Sequence, residues 1–252
     1  SLYNSRDFLE IFLQSIESQS YKNWELLICN DCSQDKTLDY IKDKKKIYPN
    51  FFIFNKKNNL GLTRSLINLI DGIEKDGYVV RLDDDTIHTS EYLISIASLF
   101  EEKYDLIVYT NFPLLGNLIT RIHSKNKKLA SVFLALIGNI GDHDGTSFTK
   151  NLYNNAGGYD KSFYLSQDYH LLIRLIKYSQ KPIFVNSLNF KPFEMPRIKY
   201  KLSHDESLMQ KIFSLISVSA LFPKETHKRY STYMIFILIL IISIPIKFSR
   251  SL

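Results

Sequence analysis

The stretch VVRLDDDTIHTSEYL, residues Val79 to Leu93, places three consecutive carboxylates directly after a short apolar run. Like charges about 4 Å apart repel by roughly 4 kcal/mol at an effective dielectric constant near 20. Asp83, Asp84 and Asp85 are therefore costly unless a cation neutralises them. Acidic residues at such a position also occur as a solvated turn or as the cap of the next helix. The position after a buried strand favours a cation site and leaves the turn as the alternative.

Helix and strand patterns alternate on both sides of this stretch. Apolar residues at helical spacing predict helices over 8–16, 37–47, 62–73, 91–100 and 169–178. Near-continuous apolar runs predict strands in WELLICN, FFIFN, YVVRL, DLIVYTN and IFVNSL. Such runs are typical of strands covered on both faces by helices. The sequence therefore predicts an α/β fold with a mostly parallel sheet flanked by helices.

The helical pattern weakens between Asn111 and Lys128, where Pro113, Gly116 and the basic run SKNKK occur. We interpret this region as a solvated loop.

Composition limits the class of protein. The chain has 252 residues, 45% of them hydrophobic, a net charge of +6 and a pI near 9.0. These values fit one sizeable α/β domain, or a domain with an appendage, that has acidic partners. Nucleic acid is disfavoured because no aromatic-basic motif or compact basic helix occurs. Cys29 and Cys32 lack a second pair for zinc and are interpreted as reduced thiols of a cytosolic protein.

The C-terminal part differs in kind from the rest. Residues 230–246 contain no charged side chain and no polar stripe. A helix of that length spans about 25 Å, slightly less than a hydrocarbon core of roughly 30 Å. Basic residues on both flanks favour a segment at 230–248 that inserts into or lies on a membrane, with a buried core element as the alternative. We expect a main domain over 1–205 and a helical region over 206–252.

Acidic residues follow two of the predicted strands. Asp31 ends WELLICND, and Asp83 to Asp85 end YVVRLDDD. Ligands of open α/β sheets bind beyond the carboxyl ends of the strands. Mg²⁺ and Mn²⁺ take carboxylate oxygens, often one or two together with substrate phosphates. The sequence therefore predicts a Mg²⁺ or Mn²⁺ site at this edge of the sheet.

Five stretches occur in order between Tyr3 and about Ser203: YNSRDFLEIFLQSIESQSYKNWELLICNDCSQDKT, NNLGLTRSLINLIDGI, RLDDDT, GGYDKSF and SQDYHLLIRL. Together they resemble the family-2 glycosyltransferases of the GT-A fold. The resemblance implies transfer of a sugar from a nucleotide-diphosphate donor, a UDP-sugar being expected, to a hydroxyl acceptor. It also implies inversion at the anomeric carbon.

The resemblance assigns roles to the donor-binding residues. Asp83 and Asp85 match the family's D-x-D, which implies a Mg²⁺ or Mn²⁺ bridging the donor diphosphate, with Asp83 nearer the ribose. Asp31 is implied to accept a hydrogen bond from the uracil-type base. Arg64 and Tyr3 are implied to complete the nucleotide site.

Asp168, which follows Gln167, matches the family's general base for the acceptor hydroxyl. The alternative is a structural one, because Asp is a preferred N-cap and Asp168 immediately precedes a helical pattern. Asn30 and Cys32 depart from the family, which has Asp and Gly at these positions. This departure bears on which nucleotide base the donor site accepts.

Weaker candidates remain beside these residues. Asp142, His143 and Asp144 offer metal-ligating groups but are framed by glycines, as in a turn. His170 falls on a predicted helix as a packed or surface residue. Three further residues match loosely a basic, hydroxyl-bearing loop over the diphosphate: Arg197, Lys199 and Ser203.

The basic charge and the apolar C-terminal segment suggest an acceptor at a membrane. We expect a lipid-linked saccharide of bacterial surface polysaccharide biosynthesis, handled at the cytoplasmic face of the inner membrane. Chains of the resembled family begin with an apolar strand that ends in Pro-x-Tyr-Asn, and this sequence begins near its Tyr3 and Asn4. We therefore expect the first strand to be missing from this sequence. The alternative function is a non-catalytic, membrane-tethered module that binds a nucleotide-sugar.

Overall fold

The computed structural model describes residues 1–74 and 76–186 and the backbone of 193–194. Helices and strands alternate along the chain, as predicted. The helices are α1 (Arg6–Glu17), α2 (Thr37–Ile47), α3 (Leu62–Asp71), α4 (Tyr92–Glu101), α5 (Pro113–Lys125), α6 (Lys127–Ile137), α7 (Lys150–Asn155) and α8 (Gln167–Tyr178). The strands are β1 (Leu26–Asn30), β2 (Phe51–Asn55), β3 (Tyr78–Val80), β4 (Thr86–Ile87), β5 (Leu106–Thr110), β6 (Ser147–Thr149), β7 (Pro182–Asn186) and β8 (Phe193–Glu194).

The strands form a mixed arrangement. β1 pairs with β2 in parallel, the order β3-β6-β5-β7 forms a second sheet, and β4 pairs with β8. β5 and β7 are parallel, whereas β6 runs antiparallel to both β3 and β5. The predicted α/β class is confirmed, but the prediction of a mostly parallel sheet is wrong for β6 and for the β4–β8 pair.

The direction of β6 follows from the two helices that precede it. α5 leads away from the carboxyl end of β5, and the antiparallel α6 returns the chain to that same end. The return is visible in two contacts, Thr110 Oγ1 donating to the Ile140 carbonyl (2.5 Å) and the Asp142 N–H donating to the Tyr109 carbonyl (2.8 Å). β6 must therefore start at the carboxyl end of β5 and run in the opposite direction.

The loop predicted between Asn111 and Lys128 is wrong, because α5 occupies most of it. Pro113 stands in the first turn, where its fixed φ and missing N–H favour a helix start. Gly116 lets the helix approach Phe184 of β7 closely. Asn126 ends the helix and caps α6, since its side chain accepts the Leu129 N–H at 2.9 Å.

In the part of the chain that the structure describes, buried apolar side chains form three clusters. One joins β1 and β2 to α1 and α2, one packs α4 on β5, and the largest fills the space between the second sheet and α3, α5, α6, α7 and α8. Leu82 packs against two of them. The residue between Arg81 and Asp83 thus fixes the acidic stretch to the core.

Within the described ranges, no helix has both the length and the apolarity to cross a bilayer. The predicted segment 230–248, the predicted helical region 206–252 and the boundary at 205 lie outside those ranges. Cys29 and Cys32 are both free thiols, the first buried and the second partly exposed.

The close approach of α5 to β7 predicts that Gly116→Ala destabilises the fold. A Cβ at this position would lie 2.5 Å from the Phe184 Cβ, well inside van der Waals contact. Overpacking costs about 1–3 kcal/mol, against a gain of about 0.5–1 kcal/mol from replacing a helical glycine. Urea denaturation should show a net loss of about 1–2 kcal/mol.

Gly77→Ala is the matched control, since no heavy atom lies within 4 Å of a Cβ built there. It should change the free energy of unfolding by less than about 0.5 kcal/mol. A Gly116→Ala variant as stable as the parent would contradict the close packing of α5 on β7.

Candidate functional site

A small cleft opens where β3 ends and α8 begins. Its walls come from the residue after β3, from the loop between α6 and β6, and from the first turns of α8. The polar side chains that matter most for its chemistry are Arg81, Asp142, His143, Tyr159 and Asp168. The cleft therefore lies at the carboxyl end of a strand, the edge of the sheet where the sequence predicts a ligand site.

Arg81, which lines this cleft, pairs with two carboxylates, and one of them, Asp168, also lines it. Its Nη2 lies 3.1 Å from Asp83 Oδ1, and its Nε lies 3.5 Å from Asp168 Oδ1. The side chain is 6% exposed. Burial by itself lowers the pKa of Arg81, but the charges of Asp168 and Asp83 outweigh it and raise that pKa above its ordinary value. Arg81 is thus a permanent cation between the D-x-D motif and the expected general base.

Sequence reasoning missed Arg81. The signal was present, because Arg81 is a lone charge in the otherwise apolar run YVVRL. A charged residue inside a buried run needs a partner. The sequence could not identify Asp168 as one of its partners.

Asp168 stands in the first turn of α8, and the N-cap position is taken by Ser166. The Asp168 carboxylate accepts a hydrogen bond from the Tyr159 hydroxyl at 2.7 Å and from Gln167 Nε2 at 3.1 Å. Burial, and next the charge of Asp168, raise the pKa of Tyr159 well above its ordinary value, so its hydroxyl stays a donor. The carboxylate is held in place by side chains rather than used as a cap.

The loop between α6 and β6 supports the acidic stretch. Asp144 Oδ1 accepts the backbone N–H of Asp83 at 2.8 Å, and Asp144 Oδ2 lies 3.1 Å from Nε2 of the buried His88. The Gly145 N–H donates to the Arg81 carbonyl at 2.7 Å. His143 is exposed, with Nδ1 4.0 Å from Asp83 Oδ2. Asp144, one of the weaker metal candidates, thus holds the turn that carries Asp83.

The acidic stretch has suitable chemistry for a shared cation. In the part of the chain that the structure describes, no group of three or more His, Cys, Asp or Glu side chains is arranged to hold a metal alone. A Mg²⁺ or Mn²⁺ that also binds a diphosphate needs only one or two protein carboxylates. Asp83 and Asp85 are partly exposed and supply hard oxygen donors. These residues fit a cation whose other ligands are phosphates and water.

The predicted nucleotide residues gather around the carboxyl end of β1. Asp31 is 3% exposed, and its two carboxylate oxygens accept the backbone N–H groups of Leu60 and Gly61, each at 2.8 Å. This anchors the start of α3, whose first turn carries the exposed Arg64. Tyr3, 52% exposed, lies close by, since the Asp31 N–H donates to the carbonyl of the preceding Leu2 at 2.9 Å. The contact of Asp31 with a base stays a prediction.

The start of the chain connects this group with the acidic stretch. Leu2 forms a parallel β-bridge with Asn30 at the end of β1. Leu82, which follows β3 and precedes Asp83, packs against the apolar cluster that contains Leu2. The β1 end and the β3 end thus face a common region.

The remaining candidates are resolved differently. His170 is packed, with its ring stacked on Phe163 at 4.0 Å between centroids. Cys32 adopts a φ of 66°, a left-handed conformation that glycine adopts without strain. The residues Arg197, Lys199 and Ser203 lie outside the described ranges.

Sequence comparisons identify relatives of this chain. The model of the family described as "Glycosyl transferase family 2" matches residues 1–172. A putative teichuronic acid biosynthesis glycosyltransferase, TuaG of Bacillus subtilis, is 26% identical over 114 residues, 45% of each chain. The UDP-Glc:α-D-GlcNAc-diphosphoundecaprenol β-1,3-glucosyltransferase WfaP of Escherichia coli is 30% identical over 110 residues, 44% of this chain and 43% of the relative. The matched stretches therefore span less than half of these relatives.

Solved structures share the fold. The S. aureus TarS 1-349 structure in complex with UDP-GlcNAc has a TM-score of 0.60 and 15% identity, covering 90% of this chain and 67% of that one. The Pyrobaculum calidifontis mannosyltransferase PcManGT, in complex with GDP-Man and Mn²⁺, has a TM-score of 0.61 and 16% identity, covering 87% and 61%. At such identities the likeness establishes the GT-A-like fold.

The position of Arg81 predicts a large loss of stability in Arg81→Met. The variant leaves the carboxylates of Asp83 and Asp168 without the cation that they share. Removing one partner of a buried ion pair costs about 3–5 kcal/mol, and the partial exposure of Asp83 places the expected loss near the lower value. Thermal and urea unfolding monitored by circular dichroism measure it.

The exposed Arg121→Met is the control and should change stability by less than about 0.5 kcal/mol. Arg81→Lys should recover part of the loss, because it restores the charge without the forked geometry of the guanidinium. Equal stability of the two methionine variants would exclude the bridging role of Arg81.

Proposed function

The chain belongs to glycosyl transferase family 2, and we propose that it transfers a sugar from a UDP-sugar to a hydroxyl of a lipid-linked saccharide, with inversion at the anomeric carbon. The observation that carries the proposal is the arrangement at the cleft. One buried guanidinium lies 3.1 Å from the Asp83 carboxylate and 3.5 Å from the Asp168 carboxylate. The carboxylates proposed for donor binding and for base catalysis are thus held by the same side chain.

Asp168 is the proposed general base. Its carboxylate lies on the cleft wall, partly exposed, and is oriented by Tyr159 and Gln167. An acceptor hydroxyl in the cleft would give its proton to this carboxylate as the oxygen attacks the anomeric carbon. Since Tyr159 stays protonated, it continues to orient the carboxylate throughout the working pH range.

Asp83 and Asp85 are the proposed ligands of a Mg²⁺ or Mn²⁺. The cation, when bound with the donor, would neutralise charge that develops on the departing diphosphate. Arg81 keeps one Asp83 oxygen paired, and Asp144 holds the backbone of Asp83. The presence of Mn²⁺ and a nucleotide-sugar in the PcManGT complex supports this assignment.

Tyr3, Asp31 and Arg64 are proposed to bind the nucleoside. Tyr3 and Arg64 are exposed, and the chain segments that precede them hydrogen-bond to Asp31, so both side chains are accessible to a base or ribose near this turn. Asp31 already accepts two backbone N–H groups, and a carboxylate has further lone pairs for a third donor. A UDP donor is supported by the UDP-GlcNAc complex of the TarS structure.

The acceptor and the cellular location are also proposals, and the names of relatives support the acceptor. The name of the E. coli relative describes transfer to a saccharide on diphosphoundecaprenol, and that of the B. subtilis relative places it in teichuronic acid biosynthesis. We accordingly propose work in bacterial surface polysaccharide assembly, at the cytoplasmic face of the inner membrane.

The donor site predicts metal-dependent nucleotide binding. Calorimetric titration of UDP, GDP and dTDP into the protein, with and without Mn²⁺, should show tight binding of UDP only when the metal is present. Asp85→Asn should weaken that binding by at least about tenfold, because charged contacts contribute about 1.5–3 kcal/mol.

Asp43→Asn is the control for Asp85→Asn, since Asp43 pairs with Lys46 on an exposed face of α2. Metal-independent binding, or unchanged binding in Asp85→Asn, would remove Asp85 from the site. Binding of no nucleotide would contradict the proposed donor class.

The base assignment predicts that Asp168→Asn lowers kcat by about 10²- to 10⁴-fold while the affinity for UDP and Mn²⁺ stays unchanged. Transfer from UDP-sugars to a diphosphate-linked GlcNAc acceptor is the assay. Asp7→Asn is the matched control, because Asp7 also stands in the first turn of a helix and is exposed.

A general effect of removing a first-turn carboxylate would appear in both variants, whereas loss of the base appears only in Asp168→Asn. Retained turnover in Asp168→Asn would show that another residue is the general base. Nucleotide binding without transfer in the parent protein would instead favour the non-catalytic binding module.

A further inference from the structure

Helices α5 and α6, residues 113–137, form a helical hairpin that exposes large apolar side chains. Leu114 is 84% exposed and Leu136 is 76% exposed. Leu118 and Leu129 are also exposed. Single exposed leucines are common on soluble proteins, but four in 25 consecutive residues form a patch that needs an explanation.

The exposed residues of α5 share one face of the helix. The spacing of Leu114, Leu118, Arg121 and Lys125 is 4, 3 and 4 residues, which places them in one row. The opposite face, formed by Gly116, Ile119 and His123, is buried. This helix is therefore amphipathic, with an outer row that carries two leucines and two cations.

The outer face of α6 has the same character. Leu129 and Leu136 are one heptad apart and both exposed, while Ala130, Ser131 and Leu134 are buried against the core. Ser131 Oγ donates to the Ile173 carbonyl of α8 at 2.8 Å, which fixes which face points inward. The exposure of the leucines is thus set by packing.

The charge of this region has one sign. No Asp or Glu occurs between Leu106 and Gly141, whereas four basic residues do. This stretch therefore carries a net charge of +4, and the whole chain carries +6. The basic residues are Arg121, Lys125, Lys127 and Lys128, and Lys127 is bound to Gln180 Oε1 at 2.6 Å. An anionic surface complements this charge, whereas a second copy of the same face would repel it.

The hairpin ends beside the cleft. Phe112, which precedes α5 and is 54% exposed, donates its N–H to Thr110 Oγ1 at 3.0 Å. Thr110 in turn donates to the carbonyl of Ile140, which follows α6. Asp142, two residues later, lines the cleft. The apolar patch and the mouth of the cleft are therefore continuous along the chain.

We propose that the α5–α6 hairpin docks on an anionic lipid bilayer, with Leu114, Leu118, Leu129 and Leu136 in the interface and Arg121, Lys125 and Lys128 on lipid phosphates. Leucines combined with a basic polar face are the features of a helix that lies in a membrane interface. α5 alone is about 20 Å long, enough to lie along the surface. Docking would hold the cleft mouth where a lipid-linked acceptor is presented. This consequence of docking rests on the proposed function.

Vesicle binding of the full chain tests the docking. Sedimentation with phosphatidylcholine vesicles containing about one third phosphatidylglycerol should show bound protein, with less bound on pure phosphatidylcholine. Lys125→Gln with Lys128→Gln should lower the affinity for anionic vesicles at least fivefold, since one near-surface lysine contributes about that factor. The control is Lys42→Gln with Lys46→Gln on the exposed side of α2. No difference between the two pairs overturns the electrostatic contact.

A contact probe separates the hairpin from any other membrane-binding part of the chain. The protein has one tryptophan, Trp24, so a second at position 114 can be followed against a constant background. Leu114→Trp should be quenched by vesicles of brominated lipids at least twofold more than Ile47→Trp, whose site is 68% exposed on α2. Equal quenching would show that the hairpin has no preferred contact with the lipid. A blue-shifted Leu114→Trp emission without lipid would show that residues 230–248 or a second copy cover the patch. Either result would overturn the proposal.

Nucleotide titration distinguishes this failure from failure of the proposed function. Leu114→Ser with Leu136→Ser should lower vesicle binding at least threefold and leave the affinity for UDP and Mn²⁺ unchanged. Loss of membrane contact with intact nucleotide binding concerns the hairpin alone. Absent nucleotide binding in the parent protein, with lipid quenching retained, would overturn the transferase and leave the docking surface.

Discussion

The guanidinium of Arg81 pairs with two carboxylates, one from its own strand end and one from a helix far along the sequence. Asp83 is two residues away, and Asp168 comes from α8. The side chain is 6% exposed, so its charge has little water to stabilise it and depends on these partners. Their charges also depend on Arg81, because carboxylates this close repel one another without a cation. β3 and α8 are therefore held in one relative position, and the cleft between them follows from that position.

The loop between α6 and β6 completes this arrangement. Asp144 holds the backbone of Asp83 across a separation of 61 residues, and the neighbouring Gly145 bonds to the Arg81 carbonyl. Gly145 has a φ of 79°, and a Cβ there would lie 2.2 Å from the Tyr92 hydroxyl, so a larger residue is excluded by both backbone and space. The antiparallel direction of β6 brings this loop to the acidic stretch, since a parallel β6 would begin at the other edge of the sheet.

The hairpin of α5 and α6 links the cleft to a surface of different character. The same antiparallel pair that reverses β6 also presents leucines and lysines to the outside. This helix pair therefore explains both the geometry of the loop between α6 and β6 and the position of the proposed membrane contact. Its first helix, α5, lies in the region that the sequence pattern represented as a solvated loop.

Local features were determined by the sequence itself. Periodicity predicted α2 at its observed bounds and most other elements to within a few residues, because the spacing of apolar residues reflects which face each element buries. The D-x-D stretch and Asp168 were likewise found from motifs. Only the tertiary structure decided the direction of β6, the pairing of Arg81 with Asp168 and the support of Asp83 by Asp144. These depend on contacts between residues tens of positions apart, and a local pattern does not specify which buried charges meet once the chain folds.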